Sequence, residues 1–269
     1  MSTKEMRHPF TVHERPPAGP VQAVFFDWGG TLTPWQTIEL GPQWRVFARE
    51  VNGVRIDSAD VTREDLDRAR ELGERITAVE ELARQRATGD GQDSNLDQLL
   101  TEAGVNARED RHHVALAAYR RFWEPRIDIN PRARELWSGL RSRGLRVGVL
   151  SNSIWSRDYH RDVFERAGVA DLIDADLYSS ELHIVKPQAE AFEAACAAIG
   201  VKPTNAVHVG DRLFEDILGA QDVGMRAIWL PHDDKPTDQQ ITVDVVPDAV
   251  ATDLLEVLDI VDSWLAETS

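Results

Sequence analysis

VQAVFFDWGGTLTPW, residues 21–35, decides how the rest of this chain is read. Its opening residues are almost continuously apolar, and a single acid, Asp27, closes the run. A strand covered by helices on both faces has this pattern, because neither side of it meets water. Gly29 and Gly30 follow at once, so the chain turns immediately after the acid. The carboxylate therefore stands beyond the end of a buried strand, where open parallel sheets bind their ligands.

Four later segments repeat the theme: LRVGVLSN (145–152), DADLYSS (174–180), NAVHVGD (205–211) and RAIWL (226–230). Helical stretches lie between and after them. PRARELWSGLRSRG (131–144) has proline in its first turn and glycine at its end, as helix boundaries prefer. AEAFEAACAAIG (189–200) and LFEDILGAQDVG (213–224) also close on glycine, and DLLEVLDIVDSWL (253–265) is a last amphipathic helix. This alternation predicts an α/β fold with a Rossmann-like, doubly wound and mostly parallel sheet.

Residues 36–129 break the alternation. They contain no strand pattern, only helical periodicity, including TREDLDRARELGERITAVEELARQRAT (62–88), which GDGQDSN (89–95) separates from the next helix. An all-α module inserted after the first strand is expected, with both ends returning to one edge of the sheet so that it lies over the sheet as a lid. The predicted organisation is an N-terminal arm (1–20), an α/β core (21–35 and 130–269) and a helical cap (36–129).

The chain has 269 residues, 42% of them apolar, which is ample for a buried core. Its formal charge of -16 repels phosphate backbones, which argues against a nucleic-acid partner. A single cysteine, Cys196, cannot form an internal disulfide, so a reducing, cytoplasmic setting is the simplest expectation. The first twenty residues lack the apolar stretch of a signal peptide, and no run approaches the roughly 20 residues that span a bilayer. The expected partner is a small molecule, with no membrane involved.

The polar residues at the strand ends are Asp27, Ser151 with Asn152, and Asp211. Each of the last three is also a good helix cap, but three strand ends converging with a lysine point to a site. That lysine is Lys186, in HIVKPQAEAF, one of only four lysines among thirty basic residues. As a compact point charge it suits a phosphoryl group or a nucleophilic carboxylate. GDRLFED (210–216) adds Asp216, so Asp27, Asp211 and Asp216 form an oxygen-rich set of the kind Mg²⁺ favours. Asp216 lies far enough into its helix that orienting the metal is as reasonable as ligating it.

With these residues the chain resembles the haloacid dehalogenase superfamily, in the branch whose helical cap follows the first strand. FFDWGGTL looks like its first motif, VLSNS its second, Lys186-Pro187 its third and VGDRLFED its fourth. The resemblance covers most of residues 21–265. It implies a hydrolase in which Asp27 is the nucleophile and forms an aspartyl-phosphate. Ser151 and Lys186 would hold the phosphoryl oxygens, assisted by Asn152. Asp27 and Asp211 would bind Mg²⁺ with the Gly29 carbonyl, and Asp216 would bind or orient it.

One position departs from the family pattern. Its phosphatases carry a second aspartate two residues after the nucleophile, to protonate the leaving oxygen and later activate water; this chain has Gly29. General acid–base help is worth roughly 10²–10⁴ in rate. A phosphonate-cleaving reading would need a cap lysine, and residues 36–129 contain none. A 2-haloacid dehalogenase would need no proton, but would not use the acids of GDRLFED. The reading preferred on the sequence is Mg²⁺-dependent phosphoryl chemistry on a leaving group that departs unaided, such as an acyl phosphate or a nucleotide diphosphate. Alternatively, Glu39, His112 or His113 replaces the missing acid. A phosphometabolite-binding or regulatory protein is the non-enzymatic alternative. Trp28, Trp35, Trp44 and Trp155 are expected to pack the cap–core seam or line a pocket, with Trp28 nearest the site. An anionic substrate tail would meet Arg45 or an arginine of the long cap helix.

Overall fold

The computed structural model describes residues 15–34, 41–54, 61–90, 94–106, 108, 111–232, 241 and 243–267. The first strand, β1 (Ala23–Phe26), is buried along its whole length. Alternate side chains serve opposite faces of the sheet. Val24 and Phe26 join one apolar layer with Trp137 and Phe164. Ala23 and Phe25 join the other, with Phe192, Cys196 and Ile199. Two buried faces on one strand are what the unbroken apolar run required.

Among the described residues, β1 is followed by the helices α1 (Pro42–Val51), α2 (Arg63–Asp90), α3 (Leu96–Glu102) and α4 (Arg111–Trp123). They bury an apolar cluster of their own, in which the indole of Trp44 stacks on the Tyr119 ring at 4.4 Å. Asn95 starts α3 through a capping box with Gln98, and Leu96 N donates to the Ile154 carbonyl at 3.0 Å. That bond ties the helical layer to the loop after the second strand. The chain leaves and re-enters the sheet region at neighbouring points, since Asn130 N donates to the Leu32 carbonyl at 2.8 Å.

Alternation then resumes through α5 (Ala133–Ser142), β2 (Arg146–Ser151), α6 (Arg157–Arg166), β3 (Ala175–Tyr178), α7 (Ser179–Leu182), α8 (Ala189–Ile199) and β4 (Ala206–Gly210). A π-helical stretch (Leu213–Leu218) runs into α9 (Gly219–Asp222), followed by β5 (Arg226–Trp229), β6 (Ala249–Val250) and α10 (Glu256–Glu267). The six strands are parallel, in the order β3-β2-β1-β4-β5-β6. Phe26 lies in register with Val149 on one side and Val209 on the other, so β2 runs two residues and β4 one residue past the end of β1.

Two details differ from the sequence expectation. The DADLYSS strand stops at Tyr178 because Ser179 already opens a helical turn. The two-residue edge strand β6 was not anticipated, being too short to show a period. Gly148, by contrast, has a clear task in β2. A Cβ there would overlap the ring of Phe25 on the neighbouring strand, so glycine is what lets the large ring lie flat across the sheet. Gly148→Ala is expected to destabilise the fold by about 1–3 kcal/mol through overpacking, measured by urea unfolding.

Candidate active site

Asp27 extends β1 by one hydrogen bond, from its N–H to the Val209 carbonyl at 2.9 Å, and its side chain then emerges beyond the sheet. Ser151 closes β2, and Asp211 follows β4 directly. All three side chains are buried, as are Lys186 and Asp216. The fold thus brings together the strand-end residues that the sequence singled out.

Lys186 lies between two carboxylates. Its Nζ donates to Asp27 Oδ1 at 2.6 Å and to Asp216 Oδ1 at 2.5 Å. Burial by itself pushes the ammonium pKa down, but Asp216 and Asp27 outweigh that and hold it above the ordinary lysine value. Burial pushes Asp216 up, yet Lys186 and His208 hold its carboxyl well below the usual range. The backbone of Lys186 is clasped by one side chain: its N–H donates to Asn152 Oδ1 at 2.8 Å, and its carbonyl accepts from Asn152 Nδ2 at 2.9 Å. The Asn152 side-chain amide therefore fixes the lysine loop.

Asp216 is held on both oxygens. Oδ1 also meets His208 Nε2 at 3.0 Å, and Oδ2 accepts from the Arg212 N–H at 2.9 Å. His208 sits in the middle of β4, fully buried against Phe192. Burial lowers its pKa, which favours the neutral ring facing Asp216 through Nε2. It was not anticipated, because a histidine in an apolar strand gives no sign of which strand-end acid it lies beneath.

Carboxylate oxygens of Asp27, Asp211 and Asp216 lie within 4.8 Å of one another, a spacing that suits one hard cation. Charge balance agrees with that fit. With Glu215, which pairs with Arg212 at 3.1 Å, four carboxylates face two cations, a formal surplus of two negative charges.

A cavity of about 430 Å³ opens above these residues, between the sheet and the helical layer. Asp27, Trp28, Gly29, Ser151, Asn152 and Lys186 line its floor. Trp28 packs edge-on against His160 at 4.4 Å and Phe164 at 5.0 Å. Trp155 stacks on Tyr159 at 4.1 Å and leans on Tyr119 at 5.0 Å, joining the two layers, whereas Trp44 belongs to the helical cluster. Trp35 and Glu39 lie outside the described residues. His112 packs against Phe47 inside the helical layer and His113 is exposed, and neither lines the cavity. Of the cap-helix arginines Arg84 reaches the cavity and Arg45 does not, while Arg68, Arg70 and Arg86 pair with acids in solvent. Arg126 and Arg212 also line it, and neither stands out by local pattern.

A family model for haloacid dehalogenase-like hydrolases matches residues 21–224. The chain belongs to this family. It is 34% identical over 160 residues to the phosphoserine phosphatase of Thermus thermophilus, covering 60% of this chain and 61% of that protein. It is 27% identical over 245 residues to the glyceraldehyde 3-phosphate phosphatase of Methanopyrus kandleri, covering 90% and 97%. In three dimensions it resembles a haloacid dehalogenase-family phosphatase from Thermococcus onnurineus (TM-score 0.59, 22% identity, 89% and 97% covered). It also resembles a 2-haloacid dehalogenase from Pseudomonas syringae (TM-score 0.58, 23% identity, 91% and 99% covered). These structural likenesses speak to the fold. No helix among the described residues is long and apolar enough to cross a membrane.

His160 gives the site an acid limit. It is buried, stacks on Tyr178 at 3.9 Å and meets Ser153 Oγ at 2.9 Å. Burial lowers its pKa from 6.5 to about 3. Between those values the unfolded chain binds a proton that the folded chain refuses. This contribution to stability is therefore full above pH 6.5 and lost as pH falls. About 2 kcal/mol should disappear between pH 6.5 and 5. Urea unfolding at both values should show a smaller loss for His160→Phe.

Proposed function

We propose that this hydrolase is a Mg²⁺-dependent phosphatase acting on a small phosphorylated metabolite, with Asp27 as the nucleophile. The observation that carries the reading is the buried pairing of Asp27 and Asp216 with a single lysine, beside Asp211. Dehalogenation of a 2-haloacid requires no such cluster of acids. The phosphatases among the curated relatives support the same reading.

Asp27, Asp211 and Asp216 would hold the metal together with the Gly29 carbonyl, which needs no side chain. When bound, Mg²⁺ supplies charge neutralisation for the phosphoryl oxygens. Asp216, gripped by Lys186, His208 and the Arg212 N–H, acts mainly to orient the others. Lys186 holds Asp27 in place and, with Ser151 and the Asn152 main chain, offers donors to the phosphoryl group. Asp27 Oδ attacks phosphorus, the leaving oxygen departs, and water then hydrolyses the aspartyl-phosphate. Catalysis of this kind is positioning plus electrostatics, which these residues provide. The helical segment 36–129 serves as the cap that closes over the substrate.

Gly29 supplies no proton, so the leaving group must depart without strong acid help. Nothing lies within 4 Å of a Cβ built on Gly29, and an aspartate would fit there. Gly29→Asp is therefore expected to raise kcat on unactivated sugar phosphates by roughly 10²-fold or more. The wild-type enzyme should favour acetyl phosphate over such esters. Strong wild-type activity on sugar phosphates would contradict this leaving-group argument. In a phosphate-release screen with and without Mg²⁺, activity should depend on the metal and fall by more than about 10³-fold in Asp27→Asn. Halide release from 2-haloacids without Mg²⁺ would instead revive the dehalogenase reading.

A further inference from the structure

The roof of the cavity has a chemistry that phosphoryl transfer does not use. Glu80, on α2, is buried there with Gln43 and next to Arg84. Its Oε2 accepts from Trp44 Nε1 at 2.6 Å and from Gln43 Nε2 at 3.3 Å, and its Oε1 accepts from Arg84 at 3.2 Å. Gln43 spends its amide nitrogen on the carboxylate, which leaves its amide oxygen. That oxygen is buried and accepts no hydrogen bond. A buried acceptor without a donor costs free energy until something supplies one. The paired Arg84 guanidinium is half exposed, whereas Glu80 itself is buried.

Between this roof and the floor the walls are aromatic: Trp28, Tyr119, Trp123, Trp155 and Tyr159. A cavity of about 430 Å³ with such walls is larger than a three-carbon phosphate needs, and it suits a flat ring. Ring and floor agree chemically. A phenol has a pKa near 10, roughly six units below water, so phenolate leaves without the acid that Gly29 lacks.

We propose that the leaving group is a phenol carrying an amine-bearing tail. The ring lies between the aromatic walls, and the ammonium donates to Glu80 and to Gln43 Oε1. This rests on the phosphatase reading above. Asp27 Oδ forms the new bond to phosphorus as the P–O(aryl) bond breaks. The phenolate leaves with that electron pair and takes its proton from solvent. Water then cleaves the aspartyl-phosphate, which returns the Asp27 carboxylate and releases inorganic phosphate.

The test compares kcat/KM for four substrates with Mg²⁺: acetyl phosphate, phenyl phosphate, O-phosphotyramine and O-phosphoethanolamine. The wild-type enzyme should prefer O-phosphotyramine to phenyl phosphate by about 10-fold or more, as expected for a charge-assisted hydrogen bond. O-Phosphoethanolamine, which has the amine but no ring, should lag well behind both. Gln43→Met and Glu80→Gln should each bring the tyramine-to-phenyl ratio towards one. A ratio within one preparation does not depend on how much protein has folded. Equal wild-type rates on the two aryl esters, or a ratio that neither variant changes, would overturn the proposal. Turnover of acetyl phosphate alone would overturn this subsite and leave the phosphatase reading standing. No Mg²⁺-dependent turnover of any of the four would sink both.

Discussion

The site depends on one buried ammonium. Lys186 places its charge between Asp27 and Asp216, and without it two carboxylates would face each other in a buried strand-end pocket. Removing one partner from such a buried pair typically costs several kcal/mol, because the remaining charge is left uncompensated. The cluster still carries more acid than base, so the arrangement suits a positive charge. His208 and the Arg212 N–H support the far side of Asp216, so the lysine has a fixed anchor.

The same constraint extends outward. Lys186 lies on a loop, and its position is set by the two hydrogen bonds from the Asn152 side chain, just after β2. The loop that carries Asn152 is itself braced by hydroxyls: Ser153 N donates to Ser179 Oγ at 2.8 Å, and Ser180 Oγ donates to the Trp155 carbonyl at 2.6 Å. Trp155 then carries the aromatic contact up to Tyr119 and the helical layer. Floor and roof of the cavity are joined through one short segment after β2. A change there would be felt at both the lysine and the helical layer.

Much of this was legible in advance. The unbroken apolar run into Asp27 implied a strand covered on both faces, and the repeats of that pattern gave five strands and their parallel arrangement. Asp27, Ser151, Asp211 and Lys186 could be picked out because each is a polar residue at the end of an apolar strand or a rare residue type in a motif. Other features left no such mark. β6 is too short to show a period, and His208 looks like an interruption of an apolar strand rather than a support for Asp216. Arg84 sits among cap-helix arginines that differ from it only in direction.

The sequence by itself determined the fold class, the polar residues at the strand ends and the glycine at position 29, because these follow from local pattern and residue type. Tertiary structure decided which acids share one lysine and which histidines stay buried and away from the cavity. It also decided that Glu80 and Gln43 face the same space as Asp27. Those relations join residues far apart in the chain, and no local pattern encodes the distance between side chains on different elements.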